Sequence, residues 1–311
     1  MSQLFPPKPK FSVDQIPDLT GRVVIVTGGN AGIGYETIKV LLLHNAKVYM
    51  ASRSKAKAET AIASLKEATG KEALFFELDL SSLASVKKAA QEFLGKEHEL
   101  HILFNNAGLM WPPVSQTTKD GYDLQFGTNV LGPFYFTKLL MPALIAGAAS
   151  SPDHHARVVT TSSSAAYIDT LRWDTFKDTP QRRKMSTETL YNQSKFGDVV
   201  LANQIAKRYA NKGIISISVN PGNIRTDLQR YVSPVVLKIM NLILYPAPYG
   251  ALTQLFAGTM PEAIKYNGEF LIPWARLGKC RAEAYDPEIG RRLWDWLDEQ
   301  VKAFEASQAR V

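Results

Sequence analysis

The sequence RVVIVTGGNAGIG, residues 22–34, joins an apolar run directly to a cluster of glycines. Such a run is typical of a strand that is buried on both faces of a parallel sheet. Glycines after the strand let the backbone turn tightly and approach a phosphate, which the N–H groups of a following helix can bind. The spacing is G-x-x-x-G-x-G, and an ordinary tight turn is the alternative interpretation. We predict a nucleotide-binding loop with contacts from Gly28, Asn30, Gly32, Ile33 and Gly34.

Short apolar runs alternate with segments of helical spacing along most of the chain. The runs cover residues 22–27, 47–52, 73–78, 101–104, 157–161, 214–219 and 269–272. The helical segments cover residues 35–44, 57–69, 86–94, 121–146, 190–211 and 249–260. This alternation predicts an α/β fold, a Rossmann-like doubly wound parallel seven-stranded sheet with helices on both faces.

We expect a single domain over residues 1–311, with a core of about residues 20–275. Two stretches depart from the alternation, residues 165–189 and the apolar residues 228–248. Both follow strands, and ligands of this fold bind at the carboxyl ends of the strands. We therefore expect residues 228–248 to form a variable substrate loop, and residues 276–311 to form a C-terminal extension.

The composition narrows the class of protein. Apolar residues make up 45% of the chain, and Cys280 is the one cysteine, which excludes an intrachain disulfide and fits a reducing compartment. The net charge of +7 comes from scattered lysines and arginines, so it suits an anionic cofactor better than a nucleic acid. The polar, proline-containing N-terminus lacks the apolar core of a secretory signal. We expect a cytoplasmic protein, and we assign no metal site.

The end of the second apolar run carries Arg53, and Lys57 follows one helical turn later. Sites that prefer NAD usually place an acidic residue near this point, to bind the ribose 2′-hydroxyl, whereas an arginine accommodates a 2′-phosphate. The first acidic residue here is Glu59. The planar guanidinium of Arg53 suits a phosphate, so we predict NADP(H) as the cofactor, with Arg53 and Lys57 as contacts.

Tyr191 and Lys195 lie four residues apart in a helical segment, so their side chains share one face. A free tyrosine has a pKa of about 10, and a neighbouring ammonium favours the phenolate and lowers that pKa. Tyr191 could then act as a general acid or base near neutral pH. The pair occurs by chance in many helices, so its meaning depends on the rest of the chain.

The chain resembles the short-chain dehydrogenase/reductase family, because several motifs follow one another in family order. They are the loop from Thr27 to Gly34, Asp79-Leu80, Asn105-Asn106-Ala107-Gly108, Asn129, Ser162-Ser163-Ser164, Tyr191 with Lys195, and the turn from Pro221 to Thr226. The resemblance covers about residues 20–275. Ser163 and Tyr191 stand farther apart than in compact members, which is similar to the retinol-dehydrogenase-like branch.

The resemblance implies an oxidoreductase that passes hydride between NADP(H) and an alcohol/carbonyl pair. It implies that Tyr191 exchanges a proton with the substrate oxygen and that Lys195 lowers the tyrosine pKa and binds the nicotinamide ribose. Ser163 would donate a hydrogen bond to that oxygen, with Ser164 as the alternative, and Asn129 would hold a water of a proton relay. The further cofactor contacts that it implies are Asp79, Leu80, Asn106, Ala107, Gly108, Pro221, Gly222, Ile224 and Thr226.

The substrate is less defined than the chemistry. The apolar residues 232–248 favour a hydrophobic alcohol, aldehyde or ketone of lipid-like, terpenoid or aromatic type. A helix packed on the core and a patch resting on a membrane surface are alternatives. A non-catalytic NADPH sensor and a membrane-associated accessory protein are alternative functions, and an epimerase or dehydratase is a further one. The resemblance also implies a homodimer through the helices that bear Asn129 and Tyr191, which residues 276–311 could block.

Overall fold

A parallel sheet forms the centre of the fold, and its order is β3-β2-β1-β4-β5-β6-β7-β8. The computed structural model describes residues 2–3, 5–231, 238 and 243–309. Within them the strands are β1 (Val23–Thr27), β2 (Lys47–Ser52), β3 (Leu74–Glu77), β4 (Ile102–Asn105), β5 (Ala156–Thr161), β6 (Ile214–Val219), β7 (Phe270–Ile272) and β8 (Arg276–Gly278). The predicted α/β fold is confirmed, since β1 to β7 are parallel. The prediction missed β8, which pairs antiparallel with β7.

Helices cover both faces of this sheet. They are α1 (Gly32–Leu43), α2 (Lys55–Thr69), α3 (Leu83–Leu94), α4 (Leu124–Ser150), α5 (Pro180–Arg183), α6 (Thr187–Tyr209), α7 (Ala247–Thr259) and α8 (Pro287–Gln308). A π-helical turn over Gly127–Leu131 interrupts α4. The length and composition of α4 would suit a membrane span, but most of its apolar stretch is buried inside the protein, as in the core helix of a soluble domain.

Side chains of the strands alternate between two apolar cores. In β1, Val23 and Ile25 pack with α3, α4, α6 and α8, whereas Val24 and Val26 pack with α1, α2 and α7. All five residues of β1 are buried, which is why the strand reads as a continuous apolar run. Because β1 to β7 run parallel, their carboxyl ends lie at the same edge of the sheet.

The long stretch between β5 and α6, which we call the insertion, is held on the body of the protein by a buried arginine. Arg182 of α5 is 1% exposed and donates to Asp123 at the start of α4, at 2.9 Å, and to Asp178, at 2.8 Å. It also donates to two backbone carbonyls, those of Val114 and Gln116, at 2.6 Å each. The insertion is therefore part of the packed fold rather than a loose surface loop.

The C-terminal extension forms α8, which packs across α4 and α6. Trp294 meets Phe134 of α4 edge to face at 5.0 Å, and the Arg208 guanidinium of α6 lies 4.4 Å from the Trp294 ring. Trp296 packs against Phe176 of the insertion, at 5.0 Å. The chain itself thus covers part of the two helices for which the resemblance implies dimer contacts.

The expected substrate loop lies largely outside the described residues. Residues 232–237 and 239–242 belong to the part that is not described, so their predicted role in covering a substrate stays a prediction. Before them a 3₁₀-helix covers Asp227–Tyr231, and after them the chain leads into α7.

Candidate active site

The glycine loop connects β1 to α1 at the carboxyl edge of the sheet. A Cβ on Gly34 would lie 2.4 Å from the carbonyl oxygen of Gly28 and 2.7 Å from Asn106 Nδ2, so the loop closes only around a glycine. Gly32 begins α1 with φ at +54°, a conformation that favours glycine. Ala31 precedes the helix and offers no side-chain cap, which leaves the first N–H groups of α1 for an anion.

The glycine loop and the ends of the neighbouring strands line one cleft. Every predicted cofactor contact except Asp79 lines it: Gly28, Asn30, Gly32, Ile33, Gly34, Arg53, Lys57, Leu80, Asn106, Ala107, Gly108, Tyr191, Lys195, Pro221, Gly222, Ile224 and Thr226. Ser163 lines the same cleft, whereas Ser164 does not, which favours Ser163 over its alternative. The cleft also has lining residues that the prediction missed: Thr27, Ala31, Ala51, Ser52, Ser54, Leu78, Leu109, Thr128, Thr161, Ser162 and Leu228.

Asp79 is not among the residues that line the cleft, although Leu80 beside it lines the wall. Its carboxylate accepts from the Ser81 hydroxyl at 2.6 Å and lies 3.3 Å from Lys119 Nζ. Burial alone would raise the pKa of Asp79, but the Ser81 hydrogen bonds and Lys119 hold it below its usual range. The predicted contact of Asp79 with the cofactor stays a prediction.

Asn106 ties the cofactor loop to the next strand. Its side-chain amide donates to the Thr27 carbonyl at 2.8 Å, and its backbone N–H donates to the Thr27 hydroxyl at 3.0 Å. The Ala107 N–H donates to the same hydroxyl at 2.9 Å. These bonds hold the ends of β1 and β4 together, so the motif positions the floor of the cleft.

The end of β2 offers positive charge and unpaired polar groups to the cleft. Arg53 and Lys57 are both exposed there, and Ser54 caps α2 by accepting from the Lys57 N–H. Two buried hydroxyls of the lining, Ser52 Oγ and Thr128 Oγ1, have no hydrogen-bond partner within the described part of the chain. Buried polar atoms are rarely left unpaired, so these two fit a polar ligand that fills the cleft.

Tyr191 and Ser163 meet at the inner end of this cleft. Ser163 lies two residues after β5, at the start of a 3₁₀-helix, and accepts from the Ala165 N–H at 3.2 Å, which fixes its side chain. Ser163 and Tyr191 line the same cleft, Ser163 lowers the pKa of the Tyr191 phenol, and Lys195 Nζ lies 6.0 Å from the centre of the Tyr191 ring. The predicted hydroxyl, phenol and ammonium are therefore brought together by β5 and α6.

Asn129 supports this group from the π-helical turn of α4. Its side chain donates to Ser194 Oγ at 2.9 Å and to the Leu109 carbonyl at 3.1 Å, and it accepts from the Leu109 N–H at 3.0 Å. A Cβ on Gly108 would lie 3.2 Å from Asn129 Oδ1 and 3.6 Å from Lys195 Nζ, so these two groups share one side of Gly108. Asn129 is buried behind the cleft wall rather than in it.

Lys195 is held by two acceptors, one of which sequence reasoning did not identify. Its ammonium donates to the Thr161 carbonyl at 2.9 Å and to Asp198 Oδ2 at 2.8 Å. Burial alone would lower the pKa of Lys195, but Asp198 and Tyr191 raise it above its ordinary value. The lysine is therefore charged in this site near neutral pH.

The environment of Tyr191 differs from the expectation of a lowered pKa. Burial raises the pKa of Tyr191, Lys195 and the Ser163 hydrogen bond act in the opposite direction, and Asp198 adds to the increase. The net direction in this structure is upward. Lys195 thus acts on Tyr191 as predicted, but its effect is smaller than the cost of burying a phenolate.

An apolar wall lies beside the tyrosine. Met110 and Ala165 are buried against Tyr191, and Trp111 and Leu228 pack on the same cluster. Trp111 has φ at +56° and is fixed by its N–H, which donates to Gln125 Oε1 at 3.0 Å. A residue held in this region at a cleft is typical of a functional position.

Comparisons of the sequence with a family model and with related proteins identify the same family. The family model for short chain dehydrogenase matches residues 22–175. A short-chain dehydrogenase/reductase of Armillaria gallica is 60% identical over 304 residues, with 98% of each chain covered. The short-chain dehydrogenase/reductase pkfC of Emericella nidulans is 40% identical, covering 95% of this chain and 97% of that one.

Solved structures share the fold over most of the chain. A putative uncharacterized protein from Mycobacterium paratuberculosis has a TM-score of 0.74 at 26% identity, covering 94% of this chain and 97% of that one. The NADP active-site complex of Pseudomonas aeruginosa RhlG has a TM-score of 0.65 at 25% identity, covering 82% of this chain and 95% of that one.

Proposed function

Because the chain belongs to the short-chain dehydrogenase/reductase family, a family of oxidoreductases, we propose that it interconverts an apolar alcohol and its aldehyde or ketone with NADP(H). The observation that carries the proposal is the meeting of Ser163, Tyr191 and Lys195 at the inner end of a glycine-lined cleft. A phenol beside an ammonium is equipped to move a proton, and a hydroxyl beside that phenol can orient a substrate oxygen.

The cleft supports a dinucleotide with a 2′-phosphate. The N-terminus of α1 and its glycines would hold the pyrophosphate, and Arg53 with Lys57 would bind the 2′-phosphate at the end of β2. The related RhlG structure contains NADP, which agrees with this assignment. When bound, the cofactor supplies hydride chemistry, and the protein supplies position and electrostatics.

In carbonyl reduction, Tyr191 would donate its proton to the substrate oxygen. Ser163 would donate a hydrogen bond to the same oxygen and polarise the carbonyl, since it lines the same cleft as the phenol. Lys195 would stabilise the phenolate that remains. Two of its three N–H donors are used by Thr161 and Asp198, which leaves one for the nicotinamide ribose. In alcohol oxidation the same groups would act in reverse.

Asn129 would act by position. Its side chain holds the backbone of Leu109, which lines the cleft, and the hydroxyl of Ser194, which lies on the same helix as Tyr191. The π-helical turn shifts the backbone around Asn129 out of the regular helical ladder, as often occurs at functional sites. A water held there, as the resemblance implies, belongs to the proposal.

The apolar wall supports a hydrophobic substrate. Met110, Trp111, Ala165 and Leu228 would contact the part of the substrate next to the reacting carbon. The retinol-dehydrogenase-like branch, the cytoplasmic location and the homodimer remain predictions from the sequence. A dimer through α4 and α6 would have to form beside α8, which already packs on both.

The test is the oxidation of NADPH against a panel of apolar aldehydes and ketones, with NADH in parallel. We expect turnover that prefers NADPH. Tyr191→Phe should lower kcat by about 10²–10⁴-fold while NADPH binding, read by cofactor fluorescence, is retained. Tyr167→Phe is the matched control, because Tyr167 bonds to the Lys279 carbonyl and does not line the cleft. Wild-type rates in Tyr191→Phe would contradict the proton-transfer role.

A further inference from the structure

A second charge lies behind the active-site lysine. Asp198 follows Lys195 on the same face of α6, is 1% exposed, and places Oδ2 at 2.8 Å from Lys195 Nζ. The arrangement is a buried row of three titratable side chains: Tyr191, Lys195 and Asp198. Tyr191 and Lys195 reach the cleft, whereas Asp198 is not part of its lining.

The packing of α6 does not explain a carboxylate at this position. Oδ1 of Asp198 has no hydrogen-bond partner among the described residues, so the group is only half satisfied. A buried charge is costly unless it is well paired, and apolar residues often replace buried ion pairs without loss of stability.

Among the residues that the structure describes, the charged groups that act on Tyr191 and Asp198 belong to the row itself. Lys195 is the charged group that acts on Asp198, and Lys195 and Asp198 are those that act on Tyr191. Burial raises the pKa of Asp198 to about 6, in spite of Lys195. Asp198 is therefore ionised above about pH 6, where it opposes the effect of Lys195 on Tyr191.

We propose that Asp198 is a positioning residue that anchors the Lys195 ammonium and offsets its charge, so that Tyr191 carries its proton into the reaction with a carbonyl substrate. This inference rests on the proposed reductase function. Reduction requires the phenol as a proton donor, and it fails at pH values where the tyrosine is already ionised. By offsetting the ammonium, Asp198 extends reduction to higher pH.

The first experiment reads Tyr191 without turnover. Tyrosinate absorbance is titrated in the wild type and in Asp198→Asn, and the same titration of each protein with Tyr191→Phe is subtracted to isolate Tyr191. Asparagine keeps the size of the side chain and an acceptor for Lys195, but it removes the charge. We expect the midpoint of Tyr191 to fall by about one pH unit in Asp198→Asn. An unchanged or raised midpoint would overturn the inference.

The second experiment is the pH profile of NADPH-dependent reduction. In Asp198→Asn the loss of kcat/KM at high pH should begin about one unit lower than in the wild type. Asp198→Glu, which restores the charge, should return both midpoints toward the wild type. Glu188→Gln makes the same charge change at an exposed position of α6 and should move neither midpoint.

These measurements separate two kinds of failure. A protein without reductase activity in which Asp198→Asn still lowers the Tyr191 midpoint would contradict the proposed function but support the charge row. If the protein is an active reductase but neither the Tyr191 titration midpoint nor the pH profile of reduction changes in Asp198→Asn, only the inference about Asp198 is overturned. If Asp198→Asn does not fold, Asp198→Leu, which removes the charge with an apolar side chain, is titrated in the same way.

Discussion

The buried Arg182 is the feature whose loss should be most costly to the fold. Its guanidinium donates to Asp123, Asp178 and the carbonyls of Val114 and Gln116, all within 2.9 Å. Arg182→Met keeps most of the side-chain length and removes every one of these donors. The variant would leave the 1% exposed Asp123 without its guanidinium partner.

The magnitude follows from what remains in the interior. Asp123 would keep its bonds from the Gln125 and Phe126 N–H groups, at 3.0 and 2.8 Å, but it would have no countercharge from Arg182. Breaking a buried ion pair by removing one partner costs about 3–5 kcal/mol. Burial already raises the pKa of Asp123, and the loss of Arg182 should raise it further. Because the folded state then disfavours the ionised carboxylate, the variant should lose progressively more stability as the pH rises above the unfolded pKa of about 4.

Urea unfolding, followed by fluorescence, measures this cost as the change in the free energy of unfolding. Arg183→Met is the matched control, because Arg183 is the next residue, is 65% exposed and pairs with the same Asp178. Its removal should have no measurable effect. A loss in Arg182→Met no larger than that of the control would refute the assignment of Arg182 as the anchor of the insertion.

The pairing itself is tested by a double-mutant cycle. Asp123→Asn in the Arg182→Met background removes the charge that was left alone, while the Asn oxygen can still accept from the helix N–H groups of α4. The double variant should lose less stability than the sum of the two single variants, by about 0.5–3 kcal/mol. Strict additivity would show that the two side chains contribute independently.

Two further predictions concern the cofactor and the pH dependence of folding. Arg53→Asp should lower the preference for NADPH over NADH, measured as the ratio of the two kcat/KM values, by about tenfold or more. Lys55→Asp is the control and should leave this ratio unchanged, because Lys55 is not among the residues that line the cleft. An unchanged ratio in Arg53→Asp would show that another group binds the 2′-phosphate. His101 Nδ1 accepts from the Val23 N–H at 3.0 Å, so the ring must be neutral, and burial lowers its pKa. The folded state therefore binds a proton on His101 less readily than the unfolded chain does, and stability is lost as the pH falls below about 6.5. His101→Asn keeps an acceptor for the Val23 N–H but does not titrate, so its melting temperature should fall less between pH about 7 and 5 than that of the wild type. An equal fall in the two proteins would contradict the role of His101.

The parts of the fold that the sequence predicts are those with a local signal. The strands β1 and β4 to β7 read as apolar runs because their residues are buried on both faces. The glycine loop reads as a motif because its geometry excludes a side chain at Gly34. The strand β8 gives no such signal, since its three residues lie half exposed at the edge of the sheet. The helix α8 does have one, because Leu293, Leu297 and Val301 recur at a spacing of four and are all buried.

For the site, too, the sequence predicts which types of residue are present but not the surroundings of each side chain. The motifs predict which residues meet, and Ser163, Tyr191 and Lys195 do meet. They do not predict the local partners of each side chain. Asp79 stands in the expected motif, and its carboxylate accepts from the N–H and hydroxyl of Ser81, two residues away.

The same limit explains the pKa of Tyr191. The spacing of Tyr191 and Lys195 is local, so the sequence predicts that the ammonium favours the phenolate. The depth of burial depends on every element that packs on α6, and it acts in the opposite direction. Asp198 is visible in the sequence as the third residue after Lys195, but only its burial gives its charge an effect on the tyrosine. The protonation of this site is therefore set by tertiary packing, on groups that the sequence places side by side.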